Sequence, residues 1–255
     1  VAGRAVLRVP CGPLVGPVSG PPPCINLQDL RYHYPDGTFA LQRISFRVAA
    51  GEKVCLAGPN GAGKSTLLLC LAGLLRAEGT LILNGRDQEP ATGTVDPARI
   101  GLVFQSPDDQ LFCPTIGEDV AFGPRNQGKT EEEVRKVVSG SLAAVGLAGF
   151  EQRCAHHISG GERKRAAIAA VLACQPAILA MDEPWANLDG RACRAVSAIL
   201  RDFPGTLLVA SHNLSRAAAV CERLIVLDEG QIIADGPMAD LRRERTLLEA
   251  HGLDL

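Results

Sequence analysis

GPNGAGKST, residues Gly58–Thr66, places Gly58 and Gly63 on either side of a short turn and follows them at once with Lys64, Ser65 and Thr66. Glycine at these two places lets the main chain curl. The N–H groups of Asn60, Gly61, Ala62 and Gly63 then converge on phosphate oxygens at the positive end of the helix that begins next. In this spacing the lysine reaches the β- and γ-phosphates and the serine hydroxyl holds Mg²⁺. The bland alternative is a glycine-rich turn with an incidental lysine. Context argues against it: GEKVCLAG (Gly51–Gly58) reads as a buried strand and TLLLCLAGLL (Thr66–Leu75) as a core helix, so the loop joins strand to helix.

Outward from the loop, the chain alternates. INLQDLRYHY (Ile25–Tyr34) and FALQRISFRVA (Phe39–Ala49) show apolar residues near period two around a Pro-Asp-Gly turn, which predicts paired strands. TLILNG and RIGLVFQ return to a sheet. TEEEVRKVVSGSLAAVGL predicts a helix capped by Thr130 with Glu133 closing the capping box, and Val134, Val137, Val138, Leu142 and Val145 forming its apolar stripe. A further helix is expected over about 162–174. Then come the strand AILAMDEP, a helix, the strand TLLVAS, and RLIVLDEGQIIADG as a hairpin turning at Asp228–Gly230. This order predicts an α/β fold: a mostly parallel central sheet covered by helices on both faces, preceded by an antiparallel β piece.

Composition narrows the function. The 255 residues suit one large domain, and a formal net charge of −2 gives no overall basic excess for nucleic acid or anionic lipid. Nine cysteines, with no Cys-x-x-Cys pair and no zinc-ligand spacing, read as reduced, mostly buried thiols of a cytoplasmic protein. The longest apolar run falls short of the roughly 20 residues a spanning helix needs, so action on a membrane process requires a partner. Residues 1–24, with six prolines and four glycines, predict a disordered tail.

Two further segments carry chemistry. AILAMDEP is an apolar strand ending in Asp182 and Glu183: one carboxylate for Mg²⁺, the other beside the point where water attacks. ISGGERKR, Ile158–Arg165, places Ser159 as a helix N-cap before Gly160 and Gly161, a second set of N–H donors at a positive helix end. With only one phosphate loop in the chain, a second anion-binding helix start serves the nucleotide of another copy. That predicts a dimer with shared sites.

The order GPNGAGKST, Gln105, ISGGE, AILAMDEP, ANLD and SH at His212 resembles that of ATP-binding-cassette ATPases over nearly the whole chain from Ile25. The resemblance implies a P-loop NTPase cassette over 25–255 with an N-terminal antiparallel β subdomain and a helical subdomain inserted at about 106–175. It implies ATP and Mg²⁺ as ligands, and a head-to-tail homodimer, or a heterodimer with a related ATPase, on the cytoplasmic face of the cell membrane. It further implies that Tyr34, with Tyr32 as its rival, stacks on adenine, that Gln105 touches Mg²⁺ and senses the membrane partner, that Asp189 crosses the interface, and that His212 contacts the γ-phosphate. A DNA- or ribosome-acting motor shares the cassette but usually adds a coiled-coil insertion or a second cassette, neither of which occurs in this sequence. An exporter or lipoprotein-release ATPase is the nearer rival.

Three positions depart from the common pattern: Ile158 for leucine, Trp185 for a small residue, and Gly190 for proline. Trp185 is expected at the dimer edge, where its fluorescence would report closure. In QSPDDQLFCPTIGEDVAFGPRNQG (Gln105–Gly128), Leu111, Phe112, Val120 and Phe122 are expected to line a groove ringed by Asp108, Asp109, Glu118 and Asp119, suited to a basic helix of a membrane protein. PDDQLF with EDVAFGPRN is similar to the ATPases of energy-coupling-factor importers, which take up vitamins and transition metals, so that a vitamin importer is the alternative within this class. HHISGGE and LLEAHGLDL look most like the cobalt and nickel branch. This implies a transmembrane coupling protein and a substrate-binding integral membrane subunit as partners; His156 and His157 are not taken as metal ligands.

Overall fold

Ten strands in two sheets and eight α-helices make up the described part of the computed structural model, residues 24–84, 86–87 and 100–253. The first sheet is antiparallel in the order β2-β1-β4-β5, with β1 Ile25–His33, β2 Phe39–Val48, β4 Glu78–Leu83 and β5 Arg86–Asp87. The second has the order β10-β9-β3-β8-β7-β6, from β3 Lys53–Ala57, β6 Ile100–Val103, β7 Ile178–Asp182, β8 Thr206–Ala210, β9 Arg223–Asp228 and β10 Gln231–Pro237. Its pairs are parallel except β9 with β10. All five residues of β8, and the last four of β3, are buried, because a parallel strand covered on both faces reads as a continuous apolar run rather than an alternation.

The longer helices are α1 Lys64–Leu71, α2 Ile116–Asn126, α3 Glu131–Ala144, α4 Gly160–Leu172 and α5 Gly190–Asp202; α6 Leu214–Ala217, α7 Met238–Leu241 and α8 Arg245–Ala250 are short. Three start with complete capping boxes, Thr115/Glu118, Thr130/Glu133 and Ser159/Glu162. The α3 stripe is as read from the sequence, with Val134, Val138 and Leu142 buried and Val137 only partly so. TLILNG belongs to the antiparallel sheet, paired with β1, whereas RIGLVFQ supplies the outer strand of the parallel one. The tail expected over 1–24 lies outside the described residues except Cys24. That residue already belongs to the fold: it is buried, and its N–H donates to the Val48 carbonyl.

Candidate functional site

Parallel register sets the site. Val103 lies opposite Met181, Asp182 opposite Ala210, and Ala210 opposite Leu56, so β6, β7, β8 and β3 end at one edge of the sheet. From that edge emerge the phosphate loop after Ala57, Gln105, Asp182 with Glu183, and Ser211 with His212. Ligands of open α/β sheets bind at such carboxyl ends.

The loop glycines are sterically enforced. A Cβ at Gly58 would sit 2.0 Å from the Leu227 carbonyl oxygen, and one at Gly63 2.4 Å from that of Ala40. Gly63 is also the N-cap of α1, with φ 101°. Lys64 is buried and folds its ammonium back on the loop, donating to the carbonyls of Gly58 and Pro59, each at 2.8 Å. Burial lowers its pKa, while Glu183 and Asp182 pull it upward. The Tyr34 hydroxyl lies 3.0 Å from Thr66 Oγ1, which sets its exposed ring beside the loop; Tyr32 meets it edge-on and packs against the core.

Asp182 is pushed above the ordinary carboxyl value by burial, opposed chiefly by the Ser65 hydroxyl bonded to it. Its Oδ1 is buried with no hydrogen-bond partner. A hydroxyl beside a desolvated carboxylate with an unused oxygen is a donor set that fits a hard divalent cation such as Mg²⁺. Glu183 sits in the left-handed region at φ 42°, a strain of the kind that collects at functional sites. It is held there by its N–H to the Ala210 carbonyl at 2.9 Å. Oε1 accepts the His212 main-chain N–H at 3.0 Å and lies 2.7 Å from His212 Nδ1; Oε2 accepts the Ser211 hydroxyl at 3.2 Å. Ser211, fully buried, thus holds the Glu183 carboxylate; sequence reasoning gave it no part in the site, although it stands next to His212.

Gln105 leaves the same edge with an exposed side chain. Its carbonyl, and that of Phe104, accept hydrogen bonds from the Lys164 ammonium at 3.0 and 2.8 Å. Burial brings Lys164 down to about 8, with Asp182 and Glu183 opposing.

Ser159, Gly160, Gly161 and Asp189 are brought together elsewhere, in an open cleft of about 760 Å³ that no residue of 58–66 lines. Ser159 Oγ is engaged in its own capping box, 2.7 Å from Glu162 Oε2. Gly161 admits α5, since a Cβ there would lie 2.7 Å from that of Ala192, whereas Gly160 faces open space. Asp189 caps α5 through the Ala192 N–H at 2.7 Å.

Two expectations need correction. Trp185 is not at an edge: it is 5% exposed in the chain's own core, its indole N–H donating to Ser197 Oγ at 3.0 Å. The groove is also narrower than read. Leu111 and Val120 are core residues, and Asp119, only 5% exposed, turns inward to accept the N–H groups of Phe112 and Cys113, each at 2.9 Å. With Ile116 and Val120 four apart on the inner face of α2, Phe122 is left outside. The exposed part is an edge-to-face pair, Phe112 and Phe122, with centroids 5.1 Å apart and with Asp108, Asp109 and Glu118 exposed nearby in sequence.

Fold and site together define a P-loop nucleoside triphosphatase. The family model described as "ABC transporter" matches residues 41–186, more than half of the chain, and the protein belongs to that family as an ATPase coupled to transport. It is 47% identical over 232 residues to a putative ABC transporter ATP-binding protein of Gloeobacter violaceus, covering 90% of this chain and 95% of the relative. It is 44% identical to the energy-coupling factor transporter ATP-binding protein EcfA of Methanothermobacter thermautotrophicus, covering 91% and 76%. The structure of cbiO1 from Clostridium perfringens, described as part of the ABC transporter complex cbiONQ, superimposes with a TM-score of 0.77 at 32% identity, covering 91% and 96%. Among the described residues no helix is long and apolar enough to cross a membrane.

Proposed function

We propose that this chain is the ATP-hydrolysing motor of an energy-coupling-factor importer whose cargo is cobalt or nickel ions, held at the cytoplasmic face of the membrane by its partners. The N–H groups of Asn60, Gly61, Ala62 and Gly63, with Lys64 and Thr66, bind the triphosphate, and Tyr34 stacks on the adenine. Ser65, Asp182 and Gln105 hold Mg²⁺, which neutralises triphosphate charge when bound. Glu183, held by the Ser211 hydroxyl and the His212 main-chain N–H, accepts the proton of the attacking water, while the His212 ring contacts the γ-phosphate. Ser159, Gly160, Gly161 and Asp189 complete the nucleotide site of a second ATPase, identical or related, in a head-to-tail dimer. Support for this last step is the separation of the two half-sites: one chain presents both, and none of its own phosphate loop lines the cleft at Ser159 and Asp189.

The observation that carries the membrane assignment is the exposed pair Phe112 and Phe122, 66% and 49% accessible, directly downstream of Gln105. Two solvated phenylalanines amid acids suit an apolar residue on a basic helix of a transmembrane coupling protein. The name borne by EcfA, an energy-coupling factor transporter ATP-binding protein related to this chain, supports the transporter class, and the metal cargo rests on the resemblance carried by HHISGGE and LLEAHGLDL. Affinity capture from gently solubilised native membranes, followed by mass spectrometry, tests the reading. The expected result is a transmembrane scaffold with a small metal-binding integral protein, lost in Phe112→Glu while ATP binding persists. Recovery of an exporter pair, a ribosome or DNA contradicts it.

A further inference from the structure

Among the described residues the largest fully buried side chain is a lysine, and its position has a use. Lys164 is 2% exposed and shares the inner face of α4 with Ile168 and Val171, at spacings of four and three. Core positions rarely hold a charge, because desolvating an ammonium is costly; a methionine would fill similar space at lower cost. What a methionine lacks is the pair of hydrogen bonds to the carbonyls of Phe104 and Gln105, at 2.8 and 3.0 Å.

These bonds are reinforced one turn further along. Gln110 Oε1 accepts the Phe104 N–H at 3.2 Å while its amide donates to the Ala167 carbonyl at 3.2 Å, and Arg163 approaches Asp108 at 3.7 Å. The main chain around Gln105 is therefore fastened to α4 at successive points, and α4 begins at Ser159 and Gly160.

Resting on the functional reading above, we infer that Lys164 is a positioning residue that makes the Gln105 loop and α4 one body, and so couples the chain's own ATP site to the site it completes in its partner. Displacement of Gln105 by nucleotide then displaces Ser159 with it. The two half-sites respond together because Lys164 leaves no slack between them.

The test is ATP hydrolysis by the assembled dimer as a function of ATP concentration, for wild type, Lys164→Met, Lys164→Gln and Gln110→Leu, with melting temperatures measured in parallel. Lys164→Met is expected to reduce the Hill coefficient toward one and kcat by about fivefold or more, the range of ordinary coupling energies. Nucleotide affinity at a single site should stay within about twofold, as uniform binding contacts are untouched. Lys164→Gln, which keeps an N–H donor, should recover part of the loss, and Gln110→Leu, which leaves the buried lysine in place, should weaken cooperativity in the same direction. Lys164→Met and Gln110→Leu proteins that fold, melt normally and retain full cooperativity overturn the inference. So does a loss of kcat that merely tracks melting temperature, without rescue by glutamine. A wild type with no cooperativity overturns instead the shared-site reading beneath it, and hydrolysis indifferent to Glu183→Gln overturns the assignment of Glu183 as the base.

Discussion

Glu183 Oε1 is held by one residue twice: it accepts the main-chain N–H of His212 at 3.0 Å and lies 2.7 Å from that residue's Nδ1. The main-chain bond holds the carboxylate whatever the imidazole does, so in the proposed mechanism the His212 ring can leave for a phosphate while Glu183 stays in place. Glu183→Gln keeps size and most contacts but removes the proton acceptor. It is expected to bind ATP with ordinary affinity and hydrolyse it about 100-fold or more slowly, as for loss of a positioned general base. Steady-state phosphate release together with equilibrium nucleotide binding checks both halves.

In the proposed function Lys64 contributes to ATP binding and not to the chemistry alone. On the proposed reading its ammonium would exchange its two carbonyl contacts for phosphate oxygens, and charged hydrogen bonds contribute about 1.5–3 kcal/mol each. Lys64→Ala should therefore weaken ATP binding by about tenfold or more, read by titration with a fluorescent ATP analogue.

Asp182 pays a burial penalty that a cation would offset. Asp182→Asn removes the charge that burial disfavours, so the variant without nucleotide is expected to melt no lower than wild type. The rise in melting temperature that Mg-ATP gives wild type should disappear. Thermal melts with and without Mg-ATP, and with ATP plus a chelator, separate the two effects.

Trp185 is enclosed by its own chain, so its emission should be blue-shifted and unchanged when Mg-ATP closes the dimer of Glu183→Gln. A closure-dependent change in that emission would place the indole at an interface after all.

Gly190 opens α5 behind an extended Asp189 at φ −69° and ψ 170°, and a Cβ there meets nothing nearer than 3.5 Å. Proline suits the first position of a helix and an extended predecessor. Gly190→Pro should stabilise the protein by about 0.4–1 kcal/mol through the unfolded chain, measured by denaturant unfolding.

Much of this was legible in the sequence because the motifs are local. A phosphate loop, a strand-end Asp182–Glu183 pair and a Ser159 cap each dictate their own backbone within a few residues, and their order dictates a parallel sheet. Side-chain direction in irregular segments was not legible. Nothing in QSPDDQLFCPTIGEDVAFG announces that Asp119 turns inward to tie down Phe112 while Phe122 remains outside, since that depends on where α2 meets the core. Trp185 was misplaced for the same reason: it lies in a turn, where periodicity is silent. Lys164 left a trace, occupying a position of the apolar stripe of α4, but a charged residue in ERKR reads as solvated unless the carbonyls it reaches are known.

Uptake of radiolabelled cobalt and nickel by cells carrying the chain with its native membrane partners tests the central claim most directly, comparing wild type with Glu183→Gln. The account predicts ATP-dependent accumulation of one or both ions that Glu183→Gln abolishes although the assembled complex is still recovered. Metal uptake unaltered by that substitution, in cells where the same substitution stops ATP hydrolysis, would contradict it.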